Sequence, residues 1–509
     1  MIEAEVHNSL RTFLRSSGAP LWPHHLTLAR FVARALRLGR NTLLQTGIPS
    51  TSSHGRYRLS YLMPLLMWSE PVLLVAPEVV LQRLLMVEIP QLQQWLQISK
   101  VILSGSSWPK DDFRGLFLTT PEAWLADKLL AGGAFPPGIP TIIDGVDELE
   151  DWAHQQFTAC LQPADWYELM QVYPDAAETI RDVRVLLTRT LFQHPANRYE
   201  CYALEAAEQE ELKRLFTMLI NTDYNQSLPL AWGRFWQRWQ VNTSIVWAEV
   251  TRSQGLFSLY CSPVEVSSQL REIWLQQPLV LLAGTVDLEA SAATYRSRLG
   301  LGDMTSVRLS PDRHHDTIDL YLPQGLPLPN TPQFEGALLK EFRRLLSVYA
   351  SGKGLMVLLV GDVPLKSRIG SLLAAEFGSR VQVEKLCLDE NSILVTGWEF
   401  WLEQYRFLPS AQLLAIATLP IPSLEHPLVA ARVAYYKQQR QDWFRSYLLP
   451  VALSQLHAAI APIRDRSGIV ALFDSRIHHR SYGHQLLSSL RPLARSQTLN
   501  SLAFFHPIH

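Results

Sequence analysis

Between residues 40 and 145, five short apolar runs recur, each closed by Gly, Pro, Ser or Thr: NTLLQT, PVLLVAP, SKVILSG, GLFLTT and PTIIDGV. Stretches with helical spacing, LSYLMPLLMW, EVVLQRLLM and TPEAWLADKLL, lie between some of them. An apolar run of this length suits a strand buried on both faces, and a helix supplies the crossover that parallel strands need. This rhythm predicts a parallel sheet with helices on both faces, which constrains the chain more than any other feature.

The rhythm breaks over residues 150–275, where long helical patterns (ELEDWAHQQF, DAAETIRDVRVLLTRTLF, EAAEQEELKRLFTMLINT, LPLAWGRFWQRWQ) precede a β-like stretch, SIVWAEVTRSQGLFSLYCSP. PLVLLAGT at 278–285 then resumes the first pattern, so the intervening residues read as a mainly helical insertion. From about residue 305 a second α/β block runs through TIDLYLP, GLMVLLVG, RVQVEKL, NSILVTG, QLLAIATL and GIVALFD. A chain of 509 residues has room for several such cores. We see no short-period repeat and no low-complexity segment.

With 47% hydrophobic and 18% charged residues and a net charge of −1, the chain carries no global electrostatic case for nucleic acid. Its charge is uneven, however. Residues 144–211 hold 15 Asp/Glu against 4 Arg and no Lys, whereas residues 430–509 hold 10 Lys/Arg against 3 Asp. The pattern fits either an electropositive groove beside an acidic insert or ordinary solvated faces. The four cysteines, Cys160, Cys201, Cys261 and Cys387, are too scattered for a CxxC metal site or a disulfide framework. With no signal-type hydrophobic region at the N-terminus and no apolar run near the length that spans a bilayer, a cytoplasmic location is expected.

Residues 41–66, NTLLQTGIPSTSSHGRYRLSYLMPLL, read as a buried strand, a tight turn at Thr46–Gly47, a polar loop and an amphipathic helix. That is the layout of a phosphate-binding loop, in which backbone N–H groups and a helix N-terminus cradle phosphates. The loop pattern calls for a second glycine and a lysine ahead of Ser/Thr, and this chain has Pro49, Ser50 and Thr51 there.

The C-terminal block, LPIPSLEHPLVAARVAYYKQQRQDWFRSYLLPVALSQLHAAIAPIRDRSGIVALFDSRIHHRSYGHQLLSSLRP, resembles the second motor domain of DinG/XPD-type superfamily-two helicases. LLAGTVDLEASAATYRSRLGL resembles the motif three of that family and ILVTGWEFWLEQYRFLP its motif five. WPHHLTLARFVARAL resembles the segment ahead of motif one that contacts adenine. The resemblance covers nearly the whole chain. It implies two RecA-like parallel-sheet domains: residues 1–149 with return segment 278–304, and residues 305–509. The insertion at 150–277 then occupies the place of the family's arch domain.

The departures fall on the residues that do the family's chemistry. Motif one has lost its lysine, motif two keeps Asp144 but has Gly145 in place of the catalytic Glu, and motif six keeps one arginine, Arg464. An arginine finger alone is worth about 10³ to 10⁵ in phosphoryl-transfer rate. The resemblance therefore implies a pseudo-helicase with Asp144 and Arg464 as residual catalytic candidates. Thr46, Gly47, Ser50, Thr51, Asp144 and Arg464 would be the residual ATP–Mg²⁺ contacts. The family's iron–sulfur cluster is not expected, because residues 52–143 contain no cysteine.

Nucleic-acid candidates are Trp232, Arg234, Trp236 and Arg238, together with Arg476 and Arg480. The first four offer base stacking with cation–π help, or simply the packed face of a small helical domain. The C-terminal arginines line a cleft or form structural ion pairs such as Asp474–Arg476. His478, His479 and His484 lack a ligand cluster and read as a surface loop rather than a metal site. Three functions stay open: a nucleic-acid-binding pseudo-helicase on single-stranded or forked DNA, a residually active ATP-dependent helicase, and a scaffold for a protein of DNA metabolism. No membrane partner is expected.

Overall fold

The computed structural model describes residues 2–18, 22–50, 55–109, 112–130, 132–221, 227–241, 243–309, 317–349, 354–466 and 468–496. The first sheet is built from β1 (Thr42–Gln45), β2 (Val72–Val75), β3 (Ile102–Ser104), β4 (Leu116–Thr119) and β5 (Thr141–Asp144). After the insertion the chain returns to it. The insertion has its own strands, β6 (Ala159–Leu161), β7 (Cys201–Ala203), β8 (Ser244–Thr251) and β9 (Leu256–Pro263); the return strands are β10 (Leu279–Ala283) and β11 (Thr305–Arg308). The order of the first sheet is β11-β1-β10-β5-β2-β4-β3, parallel throughout. The second sheet takes β12 (Ile318–Tyr321), β13 (Leu355–Leu359), β14 (Val381–Val383), β15 (Ile393–Thr396), β16 (Ala411–Ile416), β17 (Ile469–Leu472) and β18 (Leu493–Ser496). These run in the order β14-β15-β13-β16-β17-β12-β18, also all parallel.

Every apolar run of the two α/β blocks forms a strand, and strand alternation divides their side chains between two cores. Leu44, Leu74, Leu118, Ile142 and Leu282 meet α1 (Ile2–Ser16), α2 (His25–Leu38) and α3 (Arg58–Met67) on one face. Leu43, Leu73, Phe117, Ile143 and Leu281 meet Trp124, Trp274 and Tyr295 on the other.

The structure corrects the sequence in three places. Residues 305–308 pair with β1, so the first sheet extends past the boundary expected at 304. Their TSVR sequence carries no apolar run, because an outer strand is only half covered. The sequence also leads us to expect the Thr46–Gly47 turn at the edge of its sheet, whereas β1 lies inside it, between β10 and β11. Finally, Phe444–Arg464 forms a 21-residue helical stretch long and apolar enough by composition to cross a membrane. It buries Leu449, Leu453, Leu456, Ile460 and Ile463 in the core of the second domain.

The insertion adds a four-stranded antiparallel sheet, β6-β9-β8-β7, to its helices. The β-like stretch is its β8–β9 hairpin, whose turn ends on Gly255 at φ +66. The insertion also touches the second domain directly. Arg198 donates to the Gly361 carbonyl at 2.6 Å, and His426 packs between Tyr199 and Trp247.

Candidate functional site at the inter-domain cleft

Glycine at 47 permits the sharp turn after β1, since its φ of +75 lies in the left-handed region that side chains disfavour. In a phosphate loop the amides here face the ligand. In this chain Thr46 N–H donates to the Ala283 carbonyl at 2.8 Å and Gly47 N–H to Gly284 at 2.9 Å. The Thr46 hydroxyl bonds the Ala283 carbonyl as well, at 2.9 Å. The turn is thereby tied to the loop after β10. Thr51 lies outside the described residues. Ser50 is buried, and its carbonyl accepts from Arg58 at 2.7 Å.

Asp144 ends β5 and is fully buried. Its Oδ1 accepts from the Tyr57 hydroxyl at 2.6 Å and its Oδ2 from the Tyr61 hydroxyl at 2.8 Å. Tyr57 caps the start of α3 and Tyr61 lies one turn on, so one helix face delivers both phenols. Burial pushes the Asp144 pKa above the usual carboxylate range, against the pull of the Arg58 guanidinium and the two phenols. Arg58 is itself buried and lies 3.7 Å from Glu88. Trp22 packs on Tyr57, and His25 Nδ1 lies 2.8 Å from the Ser60 hydroxyl. Both carboxylate oxygens thus face hydroxyl donors from the Tyr57 and Tyr61 side chains. These residues as arranged do not fit a Mg²⁺–nucleotide.

Gly145 stands where the resemblance calls for a glutamate. Its φ is +93, and a Cβ there would lie 2.7 Å from the Ser50 Oγ. Asp147 turns back onto the β10 loop and accepts from Gly284 N–H at 2.9 Å and Thr285 N–H at 3.2 Å. Burial pushes it up to about 6 despite those amides. It is a structural latch.

Across the cleft, Arg464 donates to the Leu490 carbonyl at 2.8 Å and the Pro492 carbonyl at 3.4 Å. It lines a recess of about 860 Å³ together with Gly47, Arg308, His457 and Arg491. Arg56 on one wall lies 3.6 Å from Asp465 on the other. Burial and the adjacent Arg464 and Arg308 push His457 down to about 3, which leaves its ring neutral.

The other sequence candidates scatter. Trp232 is fully buried and donates to the Asp165 carbonyl at 3.0 Å, so it cannot stack on a base. Trp236 is stacked against Phe216, with ring centroids 4.7 Å apart. Arg238 lies over the Phe157 ring at 4.7 Å, and Arg234 is exposed. Helical spacing put these aromatics on one face, and that face is the core of the insertion. Arg476 is held by Asp474, with Nε 2.9 Å from Oδ1, while Arg480 is exposed. His478 and His479 are exposed on the short helix Arg476–His479 and not in a loop. No metal-ligand cluster occurs among the described residues.

Sequence reading missed Tyr57, Arg58, Tyr61 and Glu88. The available signal was α3 itself, an otherwise apolar helix that carries Arg58, Ser60 and Tyr61. Polar groups in a helix buried on all sides need partners. It also missed the junction built on Glu150, in the helix Leu149–Phe157. Glu150 accepts from Arg432 of the second domain at 2.9 Å and lies 2.9 Å from Arg298 of the first. Burial would raise its pKa, but the two guanidiniums pull it down to about 2. Arg432 also contacts His154, the Val264 carbonyl and the Tyr447 hydroxyl.

Residues 409–493 match the helicase C-terminal domain family. The ATP-dependent DNA helicase YoaA of Haemophilus influenzae is 25% identical over 265 residues, which are 49% of this chain and 41% of that protein. The 3'-5' exonuclease DinG of Bacillus subtilis is 24% identical over 284 residues, 50% of this chain and 30% of that protein. This chain therefore spans less than half of these curated relatives. The structure of S. tokodaii Xpd4 superposes with a TM-score of 0.62 at 14% identity, covering 93% of this chain and all of that one. Domain match, relatives and architecture agree in their direction: the chain is similar to DinG/XPD-type superfamily-two helicases and shares the fold of the XPD structures.

Proposed function

We propose that this protein is a DNA-binding member of the helicase family in which P-loop ATP chemistry has given way to a structural core. One observation carries the reading. Asp144, the carboxylate that would hold Mg²⁺ in the family, is fully buried with both oxygens bonded to tyrosine hydroxyls. A cation would have to displace two short bonds and open a sealed helix face, and no lysine stands in the loop to receive the phosphates. The loop amides of Thr46 and Gly47, bonded to the β10 side, are equally committed.

DNA as the partner is carried over from the printed name of the DNA helicase YoaA, and of the nucleic-acid candidates read from the sequence Arg234 and Arg480 are exposed. The test is paired. Fluorescence anisotropy with a labelled single-stranded oligonucleotide should show nucleotide-independent affinity that falls steeply with salt. A phosphate-release assay should show no DNA-stimulated hydrolysis above buffer, with Asp144→Ala giving the same trace. DNA-stimulated turnover that Asp144→Ala abolishes defeats the proposal, as does a lack of DNA binding at low salt.

A further inference from the structure

The outer face of the first domain carries a charge pattern that neither the inter-domain cleft nor the insertion accounts for. α1 and α2 pack antiparallel, with Glu3 at the start of one held at 2.7 Å by Arg37 at the end of the other. Val6, Leu10 and Phe13 of α1 and Leu28, Val32 and Leu36 of α2 are buried, which leaves the opposite side of each helix to solvent. On α2 that side is Arg30, Arg34 and Arg37, all exposed and about 5 Å apart along the helix axis. Arg40 follows the helix and is exposed as well. On α1, Arg11 and Arg15 are exposed and continue the helical stripe of Ala4 and Asn8, which line the groove between the two helices. Residues 2–40 thus hold six arginines against two glutamates, and one of those glutamates is committed to Arg37. The side chains of Arg11, Arg15, Arg30 and Arg34 have no hydrogen-bond or ion-pair partner among the described residues. The groove, about 600 Å³, shares no lining residue with the recess at Arg464. Phe31, half-buried, is the aromatic side chain among the described residues lining it.

We infer that this face is a separate contact for double-stranded DNA, gripping the backbone through Arg30 and Arg34 on α2 and Arg11 and Arg15 on α1. DNA as the class of polymer rests on the proposed function; the duplex rests on this face. A one-sided row of cations on an open helical surface matches a linear array of phosphates, and guanidinium forks match phosphate oxygens. A duplex presents one negative charge per about 1.7 Å of its axis, denser than any single strand or acidic protein surface. Single strands are held on exposed aromatic platforms, and this face offers arginines with Phe31 half-covered between them. A protein partner would call for an apolar anchor at the centre of the patch, where the arginines stand. Arg37, paired with Glu3, fixes the two helices side by side.

Fluorescence anisotropy on the full chain with a labelled blunt-ended DNA duplex, over a salt series, tests this. Arg30→Gln with Arg34→Gln should lower the slope of log affinity against log salt by about 2 and weaken low-salt binding about tenfold or more. Arg11→Gln with Arg15→Gln, on the other helix, should lower the slope by a similar amount. Affinity for a labelled single strand should stay within about twofold of the parent in both. Arg181→Gln with Arg271→Gln removes the same charge from exposed positions on other helices and should leave duplex binding as in the parent. Thermal melting of each variant separates lost binding from lost folding. Absence of duplex binding by the folded parent at low salt overturns the inference, as do parent-like slopes in both α1 and α2 variants. An equal loss in the Arg181 and Arg271 variant does so too, as does a parallel loss of single-strand affinity. Displacement of the duplex by poly-L-glutamate at matched charge concentration would overturn it in favour of an acidic protein partner. A parent that binds single strands but no duplex defeats this inference and leaves the proposed function standing. DNA-stimulated hydrolysis that Asp144→Ala abolishes does the reverse.

Discussion

Two carboxylates six positions apart, the buried Asp144 and the largely covered Glu150, are held in opposite ways. Asp144 accepts from two phenols and its pKa is raised; Glu150 lies between two guanidiniums and its pKa is drawn down to about 2. Hydroxyl dipoles satisfy hydrogen bonds but return only part of the hydration energy of a charge, whereas cations return it by direct attraction. The contrast follows position. Asp144 sits where a motor of this family would need a cation, and its environment closes that place with neutral donors. Glu150 sits where first domain, insertion and second domain meet, and it joins all three. A frame cross-linked at Glu150, at Arg198–Gly361 and at Arg56–Asp465 has several contacts to break before its two domains can separate.

The largest expected effect tests the cationic side. Arg432→Ala should cost about 3–5 kcal/mol in urea unfolding, because it leaves a buried carboxylate half-compensated. A cost below about 1 kcal/mol would show that Arg298 alone suffices and would dissolve the contrast. Next comes pH. Glu150 is depressed from the ordinary value of 4.5 to about 2, so its contribution, of order 3 kcal/mol, is present above pH 4.5 and is lost as pH falls toward 2. Glu150→Gln should remove that part of the acid limb in melts between pH 5 and 2. An unchanged limb would assign it to other carboxylates.

The neutral side is probed by restoring what the family carries. Gly145→Glu places a side chain at φ +93 against Ser50, and should lower stability by about 2 kcal/mol without gain of phosphate release. Stable folding with new hydrolysis would mean that the cleft still opens. The smallest effect is Tyr57→Phe or Tyr61→Phe, about 1–2 kcal/mol each, for a carboxylate oxygen left without its donor. A double-mutant cycle should show the two losses coupled through Asp144.

The strands were legible because a parallel strand covered on both faces must be apolar along its whole length, as TLLQ, VLLV and TIID show. β11 and β18 were not, since their sequences, TSVR and LARS, are ones that any loop could hold. The candidate site was half legible. Asp144 and Arg464 were found from their place in the motifs, but the occupants of the space beside Asp144 were not. Trp232 misled because a spacing of three and four marks a helix face without saying whether solvent or protein meets it.

By itself, then, the sequence determined the two parallel sheets, the place of the insertion and the loss of the P-loop lysine, since periodicity and residue identity act over a few neighbouring positions. Only the tertiary structure decided what surrounds Asp144 and Glu150. Tyr57 and Tyr61 reach Asp144 across more than 80 residues of chain, and Arg432 reaches Glu150 across 282. Compensation of a buried charge depends on what lies within a few ångströms, and such distances are set by how sheets and helices stack rather than by order along the chain.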